Sequence, residues 1–177
     1  MGAEPAVPTP SDHATIVAQL GREPRGRWWV EVRCSFDYPQ VIGTPPLLDG
    51  AVPFPTLYWL TCPWLVGGVS ATESGGDVAS WAGRLAADPA LAERMRRADE
   101  RYREHRAAAS PFGDDPCPDV GIAGQRDSLA TKCLHAHVAT ALAGIDDPVG
   151  AELLATLGRS CPDGRCVALT CLREETP

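Results

Sequence analysis

The stretch Arg27-Trp28-Trp29-Val30-Glu31-Val32-Arg33-Cys34-Ser35-Phe36 is rich in β-branched and aromatic residues and reads as the clearest strand of the chain. Tyr38-Pro39 breaks it, and Gln40 to Gly43 reads as a returning strand before the turn-prone Pro45-Pro46 and Asp49-Gly50 pairs. Pro53-Phe54-Pro55 then leads into a third strand, Thr56-Leu57-Tyr58-Trp59-Leu60-Thr61-Cys62. Character changes at Pro63. Trp64 to Thr72 reads as a short helix, and Asp77 to Ala87 as another, with Val78, Trp81, Ala82 and Leu85 on one face. Asp88-Pro89 supplies a cap and a first-turn proline for a long helix to about Ala109, striped by Leu91, Met95, Ala98 and Tyr102.

Ser110 to Gly124 reads as loop. A helix is expected from about Asp127 to Ala143, another from Asp147-Pro148 to about Leu157, and a last strand over Arg165 to Cys171. Ahead of the first strand, Ser11 precedes a helical pattern of Ile16, Val17 and Leu20 that closes at Gly21. Strands followed by helices predict an α+β fold, a small antiparallel sheet from the N-terminal third packed with four to five helices. Residues 1–10 and 173–177 are expected to be flexible tails on a single globular domain spanning 11–172.

At 177 residues the chain is long enough to bury a substantial core. A net charge of -7 argues against a nucleic-acid surface. The one crowded basic segment (Arg94, Arg96, Arg97, Arg101, Arg103, Arg106) is interleaved with Glu93, Asp99, Glu100 and Glu104, the pattern of a solvated, salt-bridged helix. No apolar run is long enough to span a bilayer. Met1 to Pro10 lacks both a basic and an apolar leader segment, so a cytoplasmic protein is expected. Seven scattered cysteines, an odd number, then point to buried thiols, metal ligands or a nucleophile rather than a disulfide framework.

Lys132-Cys133-Leu134-His135-Ala136-His137 gathers one thiol and two of the four histidines. On a helix, Cys133 and His137 stand four apart on one face, where two side chains can grip one ion. The competing reading is a buried thiol beside a histidine bonded to backbone. Cys34 ends the first expected strand and Cys62 the third, and Cys161-Pro162-Asp163-Gly164-Arg165-Cys166 resembles a turn holding two thiols. Four ligands drawn from Cys34, Cys62, Cys133, His137, Cys161 and Cys166 would build a closed tetrahedral site. Zinc is the expected ion, an iron–sulfur cluster the alternative. The expected role is structural or regulatory rather than catalytic.

Two other readings stay open. One is an enzyme with Cys133 as nucleophile and His135 or His137 as base, although a mid-helix Cys133 would lack the helix dipole that lowers a thiol pKa. The other is an interaction module that meets a protein partner through the Phe54 to Trp59 block, with Tyr58 outward if Trp59 faces the core.

Pro53 to Pro63, Lys132-Cys133-Leu134-His135 with Asp147-Pro148 downstream, Arg33-Cys34 through Pro46, and Arg84 to Pro89 resemble the bacterial family called domain of unknown function 501. The resemblance spans about Trp28 to Val167. It implies no particular reaction. Its members tend to be encoded near a septum-formation protein and an exopolyphosphatase-like phosphatase, which implies a cell-envelope or division context. It also implies that Cys34, Cys62, Cys133 and His135 fill positions the family usually fills, so His135 joins the expected ligands, whereas Thr140 stands where a further histidine often occurs.

Overall fold

The computed structural model describes residues 7–48 and 52–166. Residues 1–6 of the expected N-terminal tail, the whole expected tail 173–177, and the strand expected over Arg165 to Cys171 from residue 167 onward lie outside the described residues. Strand β1 (Trp29–Arg33) pairs antiparallel with β2 (Pro39–Gly43). Two short strands, β3 (Leu47–Leu48) and β4 (Val52–Pro53), form a separate ladder. β2 then pairs antiparallel with β5 (Tyr58–Leu60), giving the sheet order β1-β2-β5. The fold is α+β. Six α-helices rather than four or five accompany the sheet among the described residues: α1 (Pro10–Leu20), α2 (Pro63–Ser74), α3 (Asp77–Ala87), α4 (Pro89–Ala108), α5 (Leu134–Leu142) and α6 (Pro148–Leu157).

The sheet has two differently used faces. Side chains alternate along β5, so Tyr58 and Leu60 enter the core with Val41, together with Met95, Ala98 and Tyr102 of α4 and Leu134 and Val138 of α5. Trp59 points the other way. It lies opposite Ile42 in the ladder and stacks on Phe54 with ring centroids 5.7 Å apart. The two rings line a cavity of about 350 Å³ together with Arg22 and Arg25 from the segment after α1. Tyr58 is therefore not an outward anchor. It is buried, with its hydroxyl 2.8 Å from His105 Nδ1 and its ring edge-on to Tyr102.

Helix ends follow local chemistry. α1 is capped by Thr9, inside the expected tail and two residues before Ser11. The Thr9 hydroxyl accepts from the Asp12 amide, and the Asp12 carboxylate accepts from the Thr9 amide in return. Asp12 also takes a forked bond from Arg33 of β1, at 2.7 and 3.0 Å, fastening α1 to the sheet. The Arg33 bond, opposed by burial and helped by Thr9, lowers the Asp12 pKa from 3.8 to about 2. A depressed carboxylate pKa stabilises the fold above pH 3.8, and the contribution fades as pH falls toward 2. Since Arg33 is partly solvated, Asp12→Asn is expected to remove about 1–2 kcal/mol at neutral pH and almost nothing near pH 2. Urea denaturation at the two pH values tests this, and an equal loss at both would contradict it.

The helix expected from Asp127 begins seven residues later. Asp127 instead bonds the Leu129 amide with its side chain, and its carbonyl accepts from the Ala130 amide, which turns the chain before an extended Cys133. α5 and α6 pack closely, because Gly150 leaves room for the His137 carbonyl where a Cβ would lie 2.1 Å away.

The charged helix α4 is only partly the solvated rod expected. Arg96 and Arg97 pair with Glu93, and Arg101 with Glu104, on its exposed side. Asp99 and Arg106 are buried.

Candidate metal centre

α2 begins on Pro63, whose fixed φ suits the first helical position, and carries Val66, Ser70 and Glu73 along one stripe. That stripe faces the start of α5. Cys133 is the N-cap of α5, with φ -144 and ψ 108, not a mid-helix residue. The expected Cys133–His137 face therefore does not exist: one residue lies outside the helix and the other in its first turns. Leu134 begins the helix by donating its amide to Glu73 Oε1 at 2.6 Å, and His135 follows.

The three side chains that meet here are Glu73, Cys133 and His135. Their sulfur, ring nitrogen and carboxylate oxygen all lie within 4.8 Å of one another. His135 Nδ1 stands 4.0 Å from Cys133 Sγ and 3.3 Å from Glu73 Oε1. On its other side, Nε2 lies 3.3 Å from the Val66 carbonyl and 3.2 Å from Ser70 Oγ. A carbonyl only accepts, so Nε2 carries the proton in that bond and the lone pair of neutral Nδ1 is turned toward the thiol and carboxylate. A backbone carbonyl fixing the far nitrogen is the usual support of a metal-binding imidazole.

Three electron-rich groups converge on one point, and such a point attracts a cation. When the cation is a proton, it sits on His135, whose pKa is raised by the bond to Cys133 against the opposing effect of burial, with Glu73 adding to the rise. Burial pushes the Cys133 thiol up, but the His135 bond and the Ala136 amide in the first turn of α5 outweigh it, and the net direction is down. The site remains partly open, with side-chain exposures of 24% at His135 and 27% at Glu73, so an ion can reach it.

The other expected ligands lie elsewhere. His137 is buried and holds Asp147 Oδ2 at 2.7 Å through Nδ1. Cys62 caps the start of α2, whereas Glu73 is at its end, about 16 Å away along the helix axis. Cys34 follows β1 at the sheet end where Cys62 follows β5, and the Arg159–Ser160 segment just before Cys161 bonds Gln40 and Ser35 there, so these cysteines lie apart from the Glu73 group. Glu73 carries no sequence signal of its own. It reads as an exposed helical acid, sixty residues from its partners.

A family model described as "Protein of unknown function (DUF501)" matches residues 30–155. The chain belongs to the DUF501 family. No curated protein and no solved structure matches it. The part of this DUF501 protein that matches includes Cys34, Cys62 and the whole Glu73, Cys133, His135 group, and stops before Cys161. Among the described residues no helix is long and apolar enough to cross a membrane.

Proposed function

We propose that this DUF501 protein binds a metal ion through Glu73, Cys133 and His135, that the ion is zinc, and that the site has a structural or regulatory role. The observation that carries the reading is the orientation of His135, with Nε2 donating to Val66 and Nδ1 turned to a thiol and a carboxylate. A borderline-soft ion suits one sulfur, one imidazole and one oxygen donor better than a hard cation does. Three protein ligands leave a fourth position for water or an exogenous group. An ion there joins the last turn of α2 to the first turn of α5. A reducing cytoplasm keeps Cys133 available as a ligand.

Cys133→Ser in the full chain, prepared without a histidine tag or added metal, is expected to lose one equivalent of bound zinc relative to wild type. Its affinity at this centre should fall by more than about 100-fold, beyond what disturbing only a supporting group does. Elemental analysis and competition with a chromogenic chelator measure both quantities. Wild-type zinc content and affinity in Cys133→Ser would refute the centre.

One observation favours a second reading, a nucleophilic thiolate. Cys133 lies at a helix N-terminus beside an imidazole, the setting that lowers a thiol pKa. In metal-free protein Cys133 should then react with iodoacetamide faster than the other cysteines, at a pH below the ordinary thiol range. Zinc that abolishes this labelling supports the metal reading; labelling that zinc leaves untouched supports the nucleophile.

A further inference from the structure

At the opposite end of α2 the remaining buried thiols converge. β1 and β5 flank a reversed β2, so they run the same way, and Cys34 after β1 and Cys62 after β5 leave the sheet at one end. The segment after α6 returns to that end and is docked there by polar contacts. The Arg159 carbonyl accepts from Gln40 Nε2, and Ser160 Oγ accepts from the Ser35 amide at 3.2 Å. Gly164, at φ +57, fits beneath the Phe36 ring, where a Cβ would approach to 3.1 Å, and Arg165 stacks over Trp64. These contacts carry Cys161 and Cys166 to the strand ends.

Cys62, Cys161 and Cys166 are each no more than 5% exposed, yet Cys161 and Cys166 stand outside the apolar cluster that forms the core. Gln40 of β2 ties the same place together: its carbonyl accepts from the Thr61 and Cys62 amides, while its side chain holds the Arg159 carbonyl two residues before Cys161. The four thiols thus share one neighbourhood. Donors lie beside two of the thiols. The Trp64 and Leu65 amides at the start of α2 face Cys62, and Gln19 Nε2, which also bonds the Pro39 carbonyl, lies 3.3 Å from Cys166 Sγ. N–H groups aimed at sulfur favour thiolate over thiol, as they do around metal-bound cysteine. Residues 158–165 form no regular secondary structure, and the buried side chains of the Cys161–Cys166 loop are its two thiols.

We propose that Cys34, Cys62, Cys161 and Cys166 form a second centre, an all-thiolate zinc site that clips the Cys161–Cys166 loop to the end of the sheet. It goes beyond the Glu73 centre and does not depend on it. Each cysteine binds as thiolate and releases its proton to solvent as the sulfur–zinc bond forms. Zinc–sulfur bonds of about 2.3 Å set the sulfurs roughly 3.8 Å apart in a tetrahedron. Among the described residues only Glu73, Cys133 and His135 bring three donors within 4.8 Å of one another, so the four sulfurs must draw inward on binding. One change of χ1 rotamer moves a cysteine sulfur by roughly 3 Å.

The test compares full-length wild type, Cys133→Ser and the double variant Cys161→Ser/Cys166→Ser by elemental analysis and by absorption after cobalt(II) loading. The double variant is expected to lose one zinc equivalent and most of the sulfur-to-cobalt charge-transfer band, while keeping the equivalent that Cys133→Ser loses. A double variant with wild-type zinc content and an undiminished band overturns the proposal. The two centres fail separately: Cys133→Ser reports one and the double variant the other. If the double variant does not fold, wild type supplies the answer through alkylation mapped by mass spectrometry before and after zinc is chelated. Joint protection of the four thiols that is lost together on chelation supports the site. Labelling of these thiols that chelation does not change overturns it.

Discussion

Replacing Arg106 with Met is expected to lower the free energy of unfolding by about 3–5 kcal/mol, the cost of stranding one member of a buried ion pair. Arg106 is fully buried near the end of α4. Nε and Nη2 form a forked pair with Asp115 at 2.9 and 2.8 Å, and Nη1 donates to the Pro55 carbonyl at 2.8 Å. Nη2 also reaches the carbonyls of Cys117 and Val120. One guanidinium thus organises the loop after α4 and fastens it to the segment that enters β5. The Tyr102 hydroxyl supports the same junction by accepting from the Leu57 amide and donating to Pro55. Lysine retains the charge but lacks the planar fork, so Arg106→Lys should also be clearly destabilised. Arg106→Met/Asp115→Leu should recover part of the loss, because no charge is then left buried alone. Denaturant titration of the three variants is the measurement. A loss below about 1 kcal/mol in Arg106→Met would mean that water replaces the guanidinium at little cost.

Arg106 also marks where the sequence stops being informative. In the run from Glu93 to Arg106 each arginine looks alike, and i to i+3 or i+4 spacing pairs four of the six. What singles out Arg106 is tertiary: the Asp115 loop folds over the end of the helix. The sheet was legible because β-branched and aromatic residues alternate between prolines, and the starts of α4 and α6 because Asp88-Pro89 and Asp147-Pro148 combine a side-chain cap with a preset φ. The start of α5 was not. Leu129 continues the apolar period, but Asp127 satisfies nearby backbone amides and ends the pattern's authority seven residues early. That shift changes the chemistry, since it moves Cys133 from a helix face to a helix end and hands its partnership from His137 to His135. Glu73 was invisible for a simpler reason: nothing local distinguishes an acid that meets a distant thiol from one that meets water.

Asp147 was legible as a cap, and its second task predicts the other large effect. Oδ1 accepts from the Val149 and Gly150 amides, while Oδ2 holds His137 Nδ1. Both residues are buried. Burial works to lower the His137 pKa, but the charge and hydrogen bond of Asp147, with smaller help from Asp99 and Cys133, leave it raised above 6.5. A histidine whose folded pKa is raised stabilises the protein fully below its unfolded pKa. That contribution disappears as pH climbs through the folded value, so stability should decline from about pH 6.5 upward. Asp147→Ala removes cap and counter-charge together and is expected to cost about 3–5 kcal/mol near pH 6. Asp147→Asn keeps a capping oxygen but no charge, so it should cost less and flatten the decline with pH. His135 titrates in the same direction. The informative quantity is therefore the difference between wild type and Asp147→Asn, measured by denaturation across pH 5.5 to 9 with metal chelated. Parallel curves for the two proteins would show that Asp147 serves α6 as a cap and leaves the charge of His137 unaltered.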